Sequence, residues 1–461
     1  MSQPNRRNTL WHRLRPEQLF VSSFVILIVA GTLGLWLIPQ FHAQGQIRFI
    51  DSLFTITSAV CVTGLTVVDT ATFFTFWGQL WILLFIQLGG LGIITLSSFI
   101  IIALGRRLSL KHEEISSGTL DAAPSLSRIK LIRDIFLFTL IIEAIGAGFL
   151  FWLWYPYHPT WQEALWHSVF HSISAFCNAG FSTYSANMVI HANSTATLMV
   201  MGFLIVLGGI GFLVMEDVFR AIRSRDRRSI TRMSLHTKIV LSTTTVLITI
   251  GAVLYAMLEW KGVLGGFTTL DKLGNALFMS ITPRTAGFNA VEYEQCRAST
   301  NFLTILLMTV GGSPGSTAGG LKTTTFALIV LLAWNKYRGR SIVSLFGRTV
   351  PDDTIQRAVG LFVFVFALIT LGAFALTITE NNDGQQKEEL LPYMFEAASA
   401  FNTVGLSMSV TPALSDKGKW LTIALMFLGR VGPMTFAAAI AMAGIPAHRR
   451  FRFAKEEVVI G

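Results

Sequence analysis

The sequence predicts an all-α membrane protein of four helix–pore loop–helix repeats, with eight transmembrane spans around one pseudo-fourfold axis. Two observations carry that prediction. The first is composition: of 461 residues, 52% are hydrophobic and only 13% charged, and the apolar residues gather in runs long enough to cross a hydrocarbon layer about 30 Å thick. The second is a repeated cassette. S-A-V-C-V-T-G-L, with Gly64, returns as S-A-F-C-N-A-G-F with Gly180, as I-T-P-R-T-A-G-F with Gly287 and as S-A-F-N-T-V-G-L with Gly405. Such a repeat has to be read before any single motif. The register extends beyond the cassette, because Phe54, Phe170, Leu277 and Phe395 each stand ten residues before their glycine.

The apolar runs fall near residues 19–38, 80–103, 134–155, 196–219, 238–258, 300–333, 358–379 and 419–444, two flanking each cassette. They divide the chain into an N-terminal tail (1–18), repeat 1 (19–105), repeat 2 (106–223), repeat 3 (224–340), repeat 4 (341–446) and a C-terminal tail (447–461). An even number of spans puts both termini on one side. Of the 36 Lys and Arg residues, 26 lie in the two tails and in the loops 104–133, 220–238 and 334–357, which the positive-inside rule assigns to the cytoplasm. All four cassettes then open outward. The N-terminal apolar run has the length of a span and no small-residue cleavage site after it, so it does not read as a signal peptide. The net charge of +10 needs no nucleic-acid partner, since loop bias and anionic membrane lipid account for it. Cys61, Cys177 and Cys296 give no disulfide framework and read as ordinary thiols.

In the first unit the segment 52–60 before the glycine loop is too short to cross, reaching about halfway at ~1.5 Å per residue. A half-helix followed by irregular backbone at membrane depth is tolerated only when buried in protein or lining a watery cavity. The second span of that unit carries Q-L-G-G-L-G, and Gly208, Gly209 and Gly211 stand in the second unit; such glycines let neighbouring elements approach closely. Glu143 is an acid inside a span, either functional or hydrogen-bonded to a neighbouring helix. In the third unit the second span is interrupted by G-G-S-P-G-S-T-A-G-G, residues 311–320, through which no helix runs regularly. This reads as the one interruption among four otherwise equivalent second spans. The fourth unit places G-R-V-G-P, with Arg430 and Pro433, at the matching depth.

A ring of short glycine-bearing loops suits a dehydrated cation. Successive backbone carbonyls can replace its water if the chain bends towards one axis, and glycine permits the bend. The C-termini of four inward-running half-helices add the negative ends of their dipoles. The loop residues are Val62, Thr63 and Gly64; Asn178, Ala179 and Gly180; Thr285, Ala286 and Gly287; and Thr403, Val404 and Gly405. They include no carboxylate, which argues for a monovalent ion. A secondary transporter with a midplane solute site normally pairs inverted repeats, whereas these four units have one sense. A membrane enzyme needs a nucleophile, an acid pair or a metal cluster, and His167 and His171 lack a third ligand.

At this point the chain resembles the Trk/Ktr/HKT superfamily of potassium transporters, most closely the membrane subunit of bacterial Ktr systems. The resemblance covers about residues 19–461 and rests on T-S-A-V-C-V-T-G-L-T-V-V-D-T, H-S-I-S-A-F-C-N-A-G-F, R-T-A-G-F-N, S-A-F-N-T-V-G-L, G-S-T-A-G-G-L-K and G-R-V-G-P. It implies potassium as the ion, with the loop residues above as filter. It also implies a homodimer in the bacterial inner membrane and a cytosolic ring of nucleotide-binding subunits (ligand ATP, ADP or NAD) that gates it. No covalently bound cofactor is implied. Trk-type members carry two further N-terminal spans that are missing here, which favours the Ktr branch and leaves a sodium dependence open.

The segment Gly311, Gly312, Ser313, Pro314, Gly315, Ser316, Thr317, Ala318, Gly319 and Gly320 is predicted to be the gate, since it costs little to reshape and lies just under the loops; the corresponding loop of the family obstructs the pathway. Arg430 joins it from the fourth unit. A fixed charge ~5 Å from a passing cation repels it by about 3 kcal/mol at an effective dielectric near 20. Arg284 reads as a structural brace, paired with an acid such as Glu396. Lys322 is expected to reach towards the cytosolic side. The basic runs 220–232 and 338–348 read as solvated faces, with docking of a regulatory ring as the alternative.

Overall fold

The computed structural model describes residues 16–92, 128–223, 233–340, 343–380 and 390–432. Residues 1–15 of the N-terminal tail, the C-terminal tail, most of the 104–133 loop and much of the 220–238 loop, on which the sidedness reading draws, lie outside the described residues. So do the last eleven residues of the predicted second span and the eighth span from Pro433 onward.

The helices of eight residues or more follow one order. α1 (Pro16–Leu37) leads to a short α2 (Phe49–Val60) and then to α3 (Phe76–Gly92). α4 (Arg128–Trp154) leads to α5 (Trp161–Phe176), α6 (Thr195–Ile210) and α7 (Phe212–Arg223). α8 (Leu235–Glu259) leads to α9 (Thr269–Ile281), α10 (Ala298–Met308) and α11 (Thr323–Tyr337). α12 (Asp352–Glu380) leads to α13 (Leu390–Phe401) and α14 (Asp416–Val431). α4, α8 and α12, with 27, 25 and 29 residues, are long and apolar enough to cross a bilayer. α2, α5, α9 and α13 have only 12 to 16 residues.

Local sequence explains several helix starts. Thr160, Thr268 and Ser415 cap α5, α9 and α14 by accepting from Glu163, Asp271 and Gly418 backbone N–H groups, with an acid in the first turn of each to favour the positive end of the dipole. Burial is inverted relative to a water-soluble domain. Trp152, Met257, Phe366 and Phe374 on the long helices and Phe203 on α6 are exposed, while Ser58, Thr63, Ser172, Asn178, Glu396 and Asn402 are buried. That distribution belongs to an all-α membrane protein, whose apolar exterior meets lipid and whose polar groups are satisfied inside.

Small residues set the packing. A methyl group added at Gly89, Gly208 or Gly429 would overlap the C-terminal carbonyl of a half-helix, at Val60, Phe176 or Phe401 respectively. Three short helices are thus held against three glycine-bearing third helices by backbone contact.

The expectation that only the third unit has an interrupted second span is corrected. α6 and α7 meet at Gly211, whose φ is +88°, and bend by 104°. The bend accommodates the 311–320 segment, because Ser313 N–H donates to Gly209 O at 2.9 Å and Phe212 N–H to Gly315 O at 3.1 Å.

Candidate functional site

Each half-helix ends in a way its cassette dictates. In the first unit Val62 N–H donates to Ala59 O at 3.1 Å and Thr63 N–H to Ser58 O at 2.8 Å, the paired bonds of a helix closed by one left-handed residue. The second and fourth units repeat them through Asn178 to Ala175 (3.1 Å) and Ala179 to Ser174 (2.7 Å), and through Thr403 to Ala400 (3.1 Å) and Val404 to Ser399 (2.8 Å). The left-handed residue is not glycine. Val62, Asn178, Thr285 and Thr403 have φ of 54°, 60°, 77° and 50°, and Gly64, Gly180, Gly287 and Gly405, two residues on, have φ of 99°, 71°, 75° and 93°. The third loop departs in detail, since Pro283 lies within it; Arg284 N–H donates to Ile281 O and Ala286 N–H to Thr282 O.

The four loops meet. A methyl group added at Gly64 would stand 2.6 Å from the Ala179 carbonyl oxygen, one at Gly180 3.0 Å from Ala286 O, and one at Gly287 2.5 Å from Val404 O; one at Gly405 would overlap Thr63 O. Each glycine therefore faces the carbonyl before the next glycine, and the sequence of contacts closes on itself. The hydroxyl oxygens of Thr63, Thr285 and Thr403 are buried with no hydrogen-bond partner in the protein. Oxygens left free on loops this close suit a cation better than an apolar or anionic ligand.

Hydroxyls that sequence reasoning did not single out hold the loops to their helices. Ser58 and Ser399 Oγ accept from the Gly64 and Gly405 N–H groups at 3.0 and 3.1 Å. Ser174 and Thr282 donate to Phe181 O at 2.8 Å and Phe288 O at 2.6 Å. The signal was present, because a serine stands six residues before the glycine in three of the four cassettes.

On one side of the glycines lies a cavity of about 210 Å³ whose lining includes all four glycines, Asp69 and Glu292. Burial, and then the neighbouring Glu294, raise Glu292 above the ordinary carboxylate pKa. On the other side lies the 311–320 segment. Gly319 and Gly320 abut the Thr403 and Asn402 side chains, Thr317 Oγ1 donates to Phe176 O at 3.3 Å, and Thr317 N–H donates to Gly208 O at 3.2 Å. Its own hydroxyls supply further ties: Ser313 Oγ donates to Ile210 O, and Ser316 Oγ to Ser313 O at 2.6 Å.

The cations do not sit as expected. Arg284 does not pair with Glu396; its guanidinium donates to Thr244 Oγ1 and Gly311 O at 3.4 and 3.3 Å, while Glu396 accepts from Ser407 and Thr411. Lys322 turns back on the segment, donating to Ala318 O at 2.6 Å. Arg430 donates to Thr317 O and, at 3.5 Å, to Gly89 O, so its charge is taken up by backbone carbonyls of the segment and of α3. Glu143 accepts from Gln87 Nε2 at 3.0 Å, joining α4 to α3. His167 and His171 contact Thr183 and Ser182.

Residues 12–446 match the family model described as TrkH, cation transport protein. The chain is 36% identical over 453 residues to the potassium/sodium uptake protein NtpJ of Enterococcus hirae, covering 97% of this chain and 98% of that one. It is 38% identical over 433 residues to the Ktr system potassium uptake protein B of Bacillus subtilis, covering 94% of each. In fold it is similar to the crystal structure of the potassium transporter TrkH from Vibrio parahaemolyticus, with a TM-score of 0.70 at 21% identity over 96% of this chain and 87% of that one.

Proposed function

This chain belongs to the TrkH family of cation transport proteins, and from that premise we propose that it takes up potassium across the bacterial inner membrane through a filter lined by backbone carbonyls. Four helix–pore loop–helix units, eight spans in all, surround one pseudo-fourfold pore. Potassium is favoured by the names of the relatives, which are potassium and potassium/sodium uptake proteins. The single observation that carries the filter is the closed order of contacts in which each cassette glycine faces the carbonyl before the next. Left-handed backbone at Val62, Asn178, Thr285 and Thr403 as well as at the glycines is strain of the kind stored at functional sites.

In this reading the cavity holding Asp69 and Glu292 is the external mouth, and its carboxylates concentrate cations there. The 311–320 segment is the gate, lying under the filter and tied to the second and fourth units. Arg430 is its latch rather than a bare electrostatic barrier, because its guanidinium holds Thr317 and Gly89 together. A cytosolic nucleotide-binding ring moves the gate, and two membrane subunits form a homodimer. Purified protein in liposomes should move potassium down its gradient with no other substrate, with or without sodium. Potassium flux that stays at the rate of empty vesicles in both conditions, for this chain and for the variant lacking residues 313–317, would overturn the proposal.

A further inference from the structure

Nine residues before the cassette glycine the four half-helices differ, carrying Thr55, His171, Phe278 and Glu396. In the second and fourth units this side chain makes the same connection. His171 Nε2 lies 2.9 Å from Ser182 Oγ, and Ser407 Oγ donates to Glu396 Oε2 at 2.7 Å; each serine is two residues beyond its glycine. Each serine oxygen also accepts a backbone N–H further along, from Tyr184 at 2.9 Å and from Val410 at 3.2 Å.

The proton on His171 follows from its other nitrogen. Nδ1 is 2.7 Å from His167 O, and a carbonyl only accepts, so Nδ1 carries the hydrogen and Nε2 takes that of Ser182. In both units, then, an acceptor fixed on the half-helix draws in the hydroxyl of the strand that leaves the ring. Both acceptors are fully buried. The other two units lack the connection. Thr55 Oγ1 donates to Asp51 O on its own helix at 2.8 Å, and Phe278 has no polar atom to offer. Since the glycines contact one another in the order first, second, third, fourth, first, the two tied strands are diagonally opposite.

We propose that His171 and Glu396 are positioning residues for ion selection: together with Ser182 and Ser407 they fix the height of two opposed filter strands from their own half-helices, while the first and third strands have only the hydroxyls of Ser58 and Thr282 from theirs and, in the third, a backbone bond from Met188 N–H to Asn289 O at 3.1 Å. The proposal rests on reading the four loops as a filter. A site that tells potassium from sodium by oxygen placement loses discrimination when a strand slides, so the effect is on selectivity first and on total flux second.

The test measures potassium and sodium flux through the full-length protein in liposomes. Ser407→Ala and Ser182→Ala remove the strand end of each tie and keep the half-helix acceptor, with Glu396 still bonded by Thr411, and each should lower the potassium-to-sodium ratio by about fivefold, the worth of one hydrogen bond. Glu396→Gln keeps an acceptor and should stay within about twofold. Combining Ser407→Ala with Glu396→Leu should be no worse than the more severe single change, because both break the same bond. Gly64→Ser serves as the control for the filter. If it lowers the ratio while both serine variants leave it intact, the positioning role fails and the filter stands; if it too changes nothing, the filter reading itself has failed. Additive losses in the double variant also overturn the proposal, and should Glu396→Leu not fold, the two serine variants decide the matter.

Discussion

At Gly64 two constraints coincide, and only glycine meets both. Its φ of 99° is one that L side chains rarely adopt, and a Cβ there would stand 2.6 Å from Ala179 O and 3.0 Å from the Gly180 Cα, so the neighbouring strand would have to yield. Gly64→Ser should therefore displace a carbonyl of the proposed filter and lower potassium-over-sodium discrimination by roughly tenfold, the equivalent of 1–2 kcal/mol of strain; competitive uptake of the two ions by liposomes measures it, and unchanged relative affinities would sink the assignment. Val62 and Thr403 are β-branched residues held at positive φ, where glycine would relieve strain, so the side chain itself has a use there. Glu292 offers a second prediction at this scale. Burial and Glu294 raise its pKa above the ordinary carboxylate value, so as external pH falls it loses its charge before an ordinary glutamate would, and the proposed mouth attracts cations less. Half-saturation for potassium should rise about threefold on acidification through that window, the worth of one charge ~7 Å away in water. Glu292→Gln should already show the higher value at neutral pH and vary less below it.

The 311–320 segment is the least regular element, and it is tied to its neighbours by hydrogen bonds that another conformation could replace. Among its ties to other units are those to Gly208, Gly209, Ile210, Phe176 and Arg430. Deleting 313–317 should give potassium flux independent of any partner subunit, and Arg430→Gln, which removes only the latch, should raise partner-free flux part of the way. If either variant assembles normally and remains as closed as the parent, the segment is not the gate. The glycines and Pro314 made this break legible in the sequence, just as the spacing of glycine and serine made the cassettes legible, because both signals are local. The bend at Gly211 was not legible, since Gly208, Gly209 and Gly211 read equally well as a smooth packing face; the bend arises because Ser313 and Gly315 bond across it. Nor did the sequence reveal where Arg284 points. Register along one chain places residues at a depth but does not say which element lies across, and Gly311 O, not Glu396, is what lies across from it.

A closed ring of four units needs a seam where the last meets the first, and here it is built from charge. Lys419 on α14 donates to Asp51 on α2 at 2.7 Å, with side-chain exposures of only 9% and 11%. Nearby, Arg48 and Asp416 pair at 2.5 Å across the same two elements, but at 59% and 56% exposure. Geometry alone does not separate the two pairs; desolvation does. An exposed pair gains little because water and salt screen it. Removing one partner of a buried pair leaves the other charge stranded and costs about 3–5 kcal/mol. Lys419→Met should thus lower stability in detergent by that amount in a denaturant titration, whereas Arg48→Ala should shift it far less. Since the seam also brings Gly405 against Thr63 O and Gly64, the Lys419 variant should lose ion discrimination along with stability. Adding Asp51→Leu to Lys419→Met removes the stranded charge, and buried pairs replaced by apolar residues of similar volume are often neutral or better, so the double variant should recover most of the stability. Equal losses from Lys419→Met and Arg48→Ala, or no recovery in the double variant, would show that the seam is held by something other than this buried pair.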